Sequence, residues 1–265
     1  MIRQIVDSQK LERIPLPNEH HARKISTLYD AYGIGNSFCR FYTICDNDIN
    51  AKEGDFFSLY GIAAVMGGLM ILSTLKDIEE IPPHINEELC AFIFASEFEE
   101  IGMEHGYANL LKDRLGTRYE YSYSDIHRYN GESPIRKIRP KSKPHLELVY
   151  KIVSSSFDDV LYEAWYVDMS HRIRHGISKV YTYKDSTTLT VQYDVGGNIF
   201  ISHVATLPKL RGRGYSTKLL QTVAHKYHSE GKIVELAAEN DMREFYKKIG
   251  FSIMGECAHL KIKKT

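Results

Sequence analysis

The chain of 265 residues has no long apolar run, no surplus charge and few cysteines, and each lack removes a class of function. Its longest apolar stretch, Gly61 to Leu72, falls well short of the roughly 20 residues that span a bilayer as a helix. The N-terminus carries Asp7 and Glu12 and has no apolar signal core. Lys plus Arg and Asp plus Glu number 34 each, so no overall field draws the chain to nucleic acid or to a membrane. Cys39, Cys45, Cys90 and Cys257 have neither metal-ligand spacing nor the pattern of a disulfide framework. These lacks point to a reduced, cytoplasmic protein without a metal, a nucleic-acid partner or a membrane partner. With 43% hydrophobic and 26% charged residues, the chain is of ordinary globular composition. Its length suits one large domain or two small ones.

A boundary falls in the stretch Gly131 to Pro144, rich in proline, lysine and arginine, which leaves little to pack and reads as an exposed connector. The expected organisation is an N-terminal α+β domain over residues 1–130, a linker over 131–145 and a second domain over 146–265. In the first half, helices are expected over 18–31, 86–95 and 105–115. Strands are expected over 38–44, 55–65, 69–73 and 118–124, with a turn at Gly67-Gly68. No residues there pair a nucleophile with a base or form a phosphate loop. In the second half, helices are expected over 146–155 and 157–175, then strands over 179–183, 188–193 and 198–206, the last two joined at Gly196-Gly197. A helix over 215–229 places Leu219, Leu220, Val223, Ala224 and Tyr227 on one face, with Gly231 beyond its end. A strand over 233–237, interrupted by Glu235, a short helix over 241–249 and a hairpin-like pair, 251–254 with 259–262, complete the chain. The fold class is α/β (α+β), a mixed central sheet with flanking helices.

Between strand and helix lies Arg211-Gly-Arg-Gly214-Tyr-Ser216. Glycines there let an anion approach the main chain, and a helix start directs several N–H groups and the positive dipole end at it. Arg211, Arg213 and Lys218 add charge suited to a diphosphate. A tight turn with solvated arginines would read the same way from the loop alone. The Walker A pattern is absent, because no Gly-Lys-Ser/Thr occurs. A dinucleotide fingerprint fails as well: Thr217 stands at its third glycine and Pro208 parts strand from loop.

Context goes further. Val204-x-Thr206-x-Pro208-x-x-Arg211-Gly-Arg-Gly214-Tyr-Ser resembles the coenzyme A loop of the GNAT N-acetyltransferase superfamily. The later segment Asn240-Asp-Met-Arg-Glu-Phe-Tyr246-Lys-Lys-Ile-Gly-Phe251 resembles that family's second motif. The resemblance covers about residues 146–265 and implies acetyl-CoA as cosubstrate. It implies that main-chain groups of Val204 and Thr206 pair with the pantetheine arm, which enters between two parting strands. By the same likeness the amides of Arg211, Gly212, Arg213, Gly214, Tyr215 and Ser216 hold the pyrophosphate, Asn240 contacts the coenzyme arm, and Tyr246 protonates the departing thiolate. Ser216 stands where the family has Gly or Ala, and the family's first strand is missing, to be supplied by the linker or the other half. The N-terminal half reads as a possible degenerate copy of the same fold, one coenzyme site being retained.

An amine must be neutral to attack a thioester, so a base is needed. Glu235 and His203 are its candidates, each on a strand beside the expected gap, and each equally readable as a polar residue on a sheet face. Asp168, His171 and His175 lie on a helix expected to line the acceptor side; the two histidines lack a third metal ligand. Arg172 and Arg174 flank them and suit either an acidic acceptor or solvent. The expected activity is transfer of an acetyl group to a primary amine of a small molecule. The competing reading is a non-catalytic module that binds or senses coenzyme A.

Overall fold

The computed structural model describes residues 1–46, 59–132, 137–157 and 160–263. Three sequence expectations reach beyond these: part of the strand at 55–65, part of the connector, and two residues of the helix at 157–175. The chain falls into two units, Met1–Ser124 with Glu256–Thr265, and Asp125–Gly255. The terminal segment from Glu256, expected with the second domain, thus belongs to the first unit.

The first unit runs β1 (Ile2–Ile5), α1 (Ser8–Glu12), α2 (His20–Tyr32), β2 (Cys39–Cys45), β3 (Leu59–Met66), β4 (Leu69–Thr74), α3 (Pro83–Ser96), β5 (Glu100–Glu104) and α4 (His105–Leu115). Strand β6 (Tyr119–Tyr129) then carries the chain into the second unit. That unit runs α5 (Leu146–Val153), α6 (Tyr162–Arg174), β7 (Lys179–Tyr183), β8 (Thr187–Val195), β9 (Asn198–Thr206), α7 (Tyr215–Ser229), β10 (Ile233–Glu239) and α8 (Arg243–Lys248). Strand β11 (Phe251–Ile262) returns the chain to the first. From α1 and from α5 onward the order is the same: two helices, three strands, helix, strand, helix, strand.

In the first unit the strand order is β1-β2-β3-β4-β5-β11 and in the second β6-β10-β9-β8-β7. Each sheet therefore takes a strand delivered from the other half of the sequence. Strand β6 supplies the neighbour of β10 that the second half lacks. The connector supplies little more than an edge bridge: Lys141 exchanges two 2.9 Å hydrogen bonds with Thr182. The described connector residues 137–145 are mostly exposed, but Ile138 packs on the second unit's core and its N–H donates to Thr222 Oγ1 at 3.3 Å.

Alternation fixes the layers of the second unit. Ile199 and Ile201 of β9 and Val234 and Leu236 of β10 join Leu219, Leu220, Val223, Ala224 and Tyr227 of α7 in one core, burying the apolar face that periodicity marked out. On the other side Val149, Val153, Trp165 and Met169 of α5 and α6 pack with Val180 of β7.

Two further expectations need correction, and three short elements were not foreseen. Helix α6 starts at Tyr162 rather than 157, because Leu161 is extended (φ −76°, ψ 130°) and serves as the N-cap. The expected terminal hairpin is the single strand β11; Gly255 does not take the positive φ of a tight turn. Strands β1 and β5 and helix α1 gave no sequence signal, being four or five residues each, too short for a period to register.

Candidate active site

Two parallel strands that part are the central feature of the second unit. Strands β9 and β10 pair in parallel from Asn198/Ile233 to Ile201/Leu236. Beyond that point β9 stays with β8, through Ser202, Ala205 and Thr206, while no pairing with β10 continues. The departure coincides with a bulge. His203 and Val204 lie opposite the single residue Leu189, and His203 has φ +48°, a left-handed conformation that costs a non-glycine residue about 1–2 kcal/mol. An extra residue leaves main-chain groups outside the ladder, at Val204 where the sequence reading places a coenzyme contact.

Thr206 ends the strand, its hydroxyl 3.0 Å from that of Thr187. A 3-10 turn at Pro208–Leu210 follows. The Arg211 guanidinium donates to Thr206 O at 3.1 Å, to Ser155 O at 3.0 Å and to Ser156 Oγ at 2.9 Å. This side chain ties the loop to the end of α5, a structural task the sequence did not reveal. Gly212 and Gly214 have φ +77° and +68°, and a Cβ on either would meet nothing within 4 Å. Gly214 caps α7 with no side-chain acceptor. Among the described residues the N–H groups of Gly212 to Thr217 have no protein acceptor; the first bond of the helix is Lys218 N–H to Gly214 O, 3.1 Å.

Cations gather at the same place. Lys184 Nζ lies 4.9 Å above the Tyr215 ring and 3.5 Å from its hydroxyl. Hydrogen bonding with Arg213, then with Lys184, holds the Tyr215 phenol below its ordinary pKa. Open space, six uncommitted amides, a helix N-terminus and two cations fit a diphosphate. The corresponding connection of the first unit is Leu75-Lys-Asp-Ile-Glu-Glu-Ile-Pro-Pro83, with no glycine, three carboxylates and a proline that has no N–H at the helix start. It does not suit an anion.

The remaining candidates lie on opposite faces of the sheet. Tyr246 of α8 is buried in the core beneath α7, its phenol pushed up to about 12 by burial; no described residue hydrogen-bonds its hydroxyl. Glu235 lies between two core residues of β10 and so faces the other way. It is 2% exposed, and Arg128 donates to its Oε1 from Nε at 3.1 Å and Nη2 at 2.8 Å. His203 stands with Phe157, ring centroids 5.6 Å apart. Burial lowers its pKa, and the Asp168 carboxylate opposes this. Asp168 itself pairs with Arg172 Nε at 2.7 Å, and His171 stacks with His175 at 4.3 Å. Asn240 is exposed just after β10.

Sequence reasoning missed what β6 contributes. Asp125, 0% exposed in its side chain, takes two bonds from Arg243 of α8, at 2.5 Å and 2.7 Å. His127 stacks on Tyr246 with centroids 4.9 Å apart. The alternation Asp125, His127, Tyr129 was the available signal: three inward positions on a strand, all of them ionisable.

Comparison with known proteins bears on family and fold. Residues 166–253 match the family model of the acetyltransferase (GNAT) domain. The second unit carries a GNAT domain. The whole chain resembles solved GNAT structures in fold. A GCN5-related N-acetyltransferase from Sphaerobacter thermophilus superposes with a TM-score of 0.63 at 16% identity, over 99% of this chain and 95% of that one. A GNAT-family acetyltransferase from Colwellia psychrerythraea gives 0.56 at 12%, over 99% and 100%. A tandem GNAT protein from the clavulanic acid biosynthesis pathway gives 0.54 at 11%, over 100% and 99%, so the likeness in fold takes in both units. No curated protein matches the sequence. GNAT domains belong to acyl-CoA-dependent acyltransferases, and no group of three or more metal-ligating side chains is present among the described residues. No helix among them is long and apolar enough to cross a membrane.

Proposed function

We propose that the second unit is the catalytic domain of an acetyl-CoA-dependent N-acetyltransferase acting on a primary amine of a small molecule. The parting of β9 and β10 carries this reading, because it stands beside the glycine loop on the same strand. Amides of Gly212 to Ser216 would hold the pyrophosphate, with Arg213 and Lys184 adding charge. Main-chain groups of Val204 and Thr206, and Asn240 across the gap, would hold the arm.

Transfer then needs a base for the amine, a donor to the oxyanion and an acid for the thiolate. His203 serves as the base: at neutral pH its depressed pKa leaves the imidazole free to accept. Glu235, the other candidate, is engaged by Arg128 and sets the frame instead. An N–H at the bulge, beside Val204, polarises the thioester carbonyl. Tyr246 gives its proton to sulfur as the C–S bond breaks, since a phenol at about 12 stays protonated at any working pH. The first unit, whose corresponding connection is acidic, supports the second without a coenzyme of its own. Cys39, Cys45, Cys90 and Cys257 are thiols rather than disulfides, the state a reduced, cytoplasmic setting would keep.

A thermal-shift titration with acetyl-CoA, coenzyme A and NAD tests the binding, because a ligand of the folded state raises the melting temperature. Thiol release with a panel of primary amines tests the chemistry. Stabilisation by coenzyme A without turnover on any amine would favour a binding or sensing module. No stabilisation at all would overturn the reading.

A further inference from the structure

His127 is the anomaly of the second unit. It is 1% exposed, and neither ring nitrogen has a hydrogen-bond partner among the described residues. A buried polar atom left unsatisfied is destabilising, and a leucine or phenylalanine on this inward position of β6 would avoid the cost. The groups around it are few. Asp125, two residues back on the same strand face, is taken up by Arg243 of α8. Tyr246, also of α8, stacks on the imidazole, the planes inclined by 39°. Burial, ahead of the opposing Asp125 carboxylate, holds the ring neutral by lowering its pKa.

Tyr246 has the complementary oddity. Its hydroxyl makes no protein hydrogen bond among the described residues, so only ring packing orients it, against His127, Phe245 at 5.1 Å and Phe251 at 5.8 Å. Of these three neighbours one is polar, and it is the one delivered from the other half of the sequence.

We propose that His127 is a positioning residue for the transfer reaction, its imidazole setting the plane of the Tyr246 phenol and offering it a polar neighbour as the proton leaves for sulfur. The inference rests on the role given to Tyr246 above. In the step itself the C–S bond breaks with its electron pair going to sulfur, the Tyr246 O–H proton goes to sulfur, and the phenolate regains a proton from water. His127 itself exchanges no proton; its N–H stabilises the transient phenolate, which an apolar side chain cannot do. The Asp125–Arg243 pair holds β6 and α8 together so that the two rings stay stacked.

The test compares His127→Leu and His127→Gln with wild type. Three quantities are read: acetyl-CoA affinity by calorimetry, melting temperature, and kcat and KM for thiol release with the best amine of the panel, or for slow acetyl-CoA hydrolysis. His127→Leu removes two unsatisfied nitrogens, so its melting temperature is expected to hold or rise. Acetyl-CoA affinity and amine KM should change less than twofold, while kcat falls about tenfold. His127→Gln, which keeps a donor, should recover most of that loss. Full kcat in His127→Leu would overturn the proposal, as would a loss that glutamine does not relieve. If leucine does not fold, the glutamine variant decides alone: its kcat must exceed that of Tyr246→Phe, and parity overturns the assignment. A wild-type chain that binds no acetyl-CoA overturns the underlying reading instead, and the role of His127 with it.

Discussion

Gly212 and Gly197 form a matched pair that isolates the coenzyme loop from the cost of altering a glycine. Both have φ +77°, and a Cβ on either meets nothing within 4 Å. One lies in the loop before α7 and the other in the turn between β8 and β9. Replacement by alanine imposes the same left-handed backbone on an L-residue at both sites, about 1–2 kcal/mol, without steric clash. Each variant should therefore lose a similar few degrees of melting temperature. Only the methyl at 212 projects into the loop proposed to hold a diphosphate. If it displaces the ligand from two amide contacts, each charge-assisted bond at about 1.5 kcal/mol, affinity falls roughly 100-fold. Calorimetry with acetyl-CoA on Gly212→Ala and Gly197→Ala reads both effects, with thermal melts alongside. Equal affinities in two equally folded variants would refute the loop as the coenzyme site.

Other expectations follow from the same geometry. Tyr246→Phe should lower kcat about 100-fold, the scale that a general acid supplies, with acetyl-CoA affinity unchanged; unaltered turnover would remove the phenol from the mechanism. Arg128→Met removes a charge partner of the buried Glu235 carboxylate and should destabilise the chain by about 3 kcal/mol, at the low end for a broken buried pair since Arg128 is partly in solvent. The double variant with Glu235→Leu should recover much of that loss, and thermal or urea melts measure both. His203 has a lowered pKa, so activity should stay flat down through the ordinary histidine value near 6.5 and fall only at more acid pH as the base protonates; His203→Gln should abolish that acid limb of kcat/KM. In the first unit burial lowers His259 to about 3. The unfolded chain therefore takes up a proton first as pH falls, and stability is lost progressively from about 6.5 down to 3. At pH 5 this amounts to about 2 kcal/mol, and His259→Phe should flatten the acid side of the stability curve.

Legibility differed by the range over which the physics acts. Periodicity and turn chemistry are local, so α7 (Tyr215–Ser229), the Gly196-Gly197 turn and the run of β7, β8 and β9 could be read directly. The glycine loop was legible for the same reason: positive φ and missing bulk are properties of single residues. Helix α6 was placed too early because Phe157, Val160 and Leu161 keep the apolar pattern while the backbone at Leu161 is extended. Arg211 reads as a phosphate ligand in a string of letters, whereas its three acceptors lie on Thr206 and on Ser155 and Ser156, the latter two far back in the sequence.

From the amino-acid order alone came the α/β class, the glycine loop and the aromatic motif around Tyr246, since each depends on neighbours within a few residues, whereas the parting of two strands was only implied by the family resemblance. Tertiary structure decided which strand lies beside β10, which groups surround Tyr246 and how Glu235 is held. Those outcomes turn on β6, whose Asp125, His127 and Arg128 meet partners more than a hundred residues away. A short polar alternation on one strand carries no mark of what it will face, and only folding brings the two together.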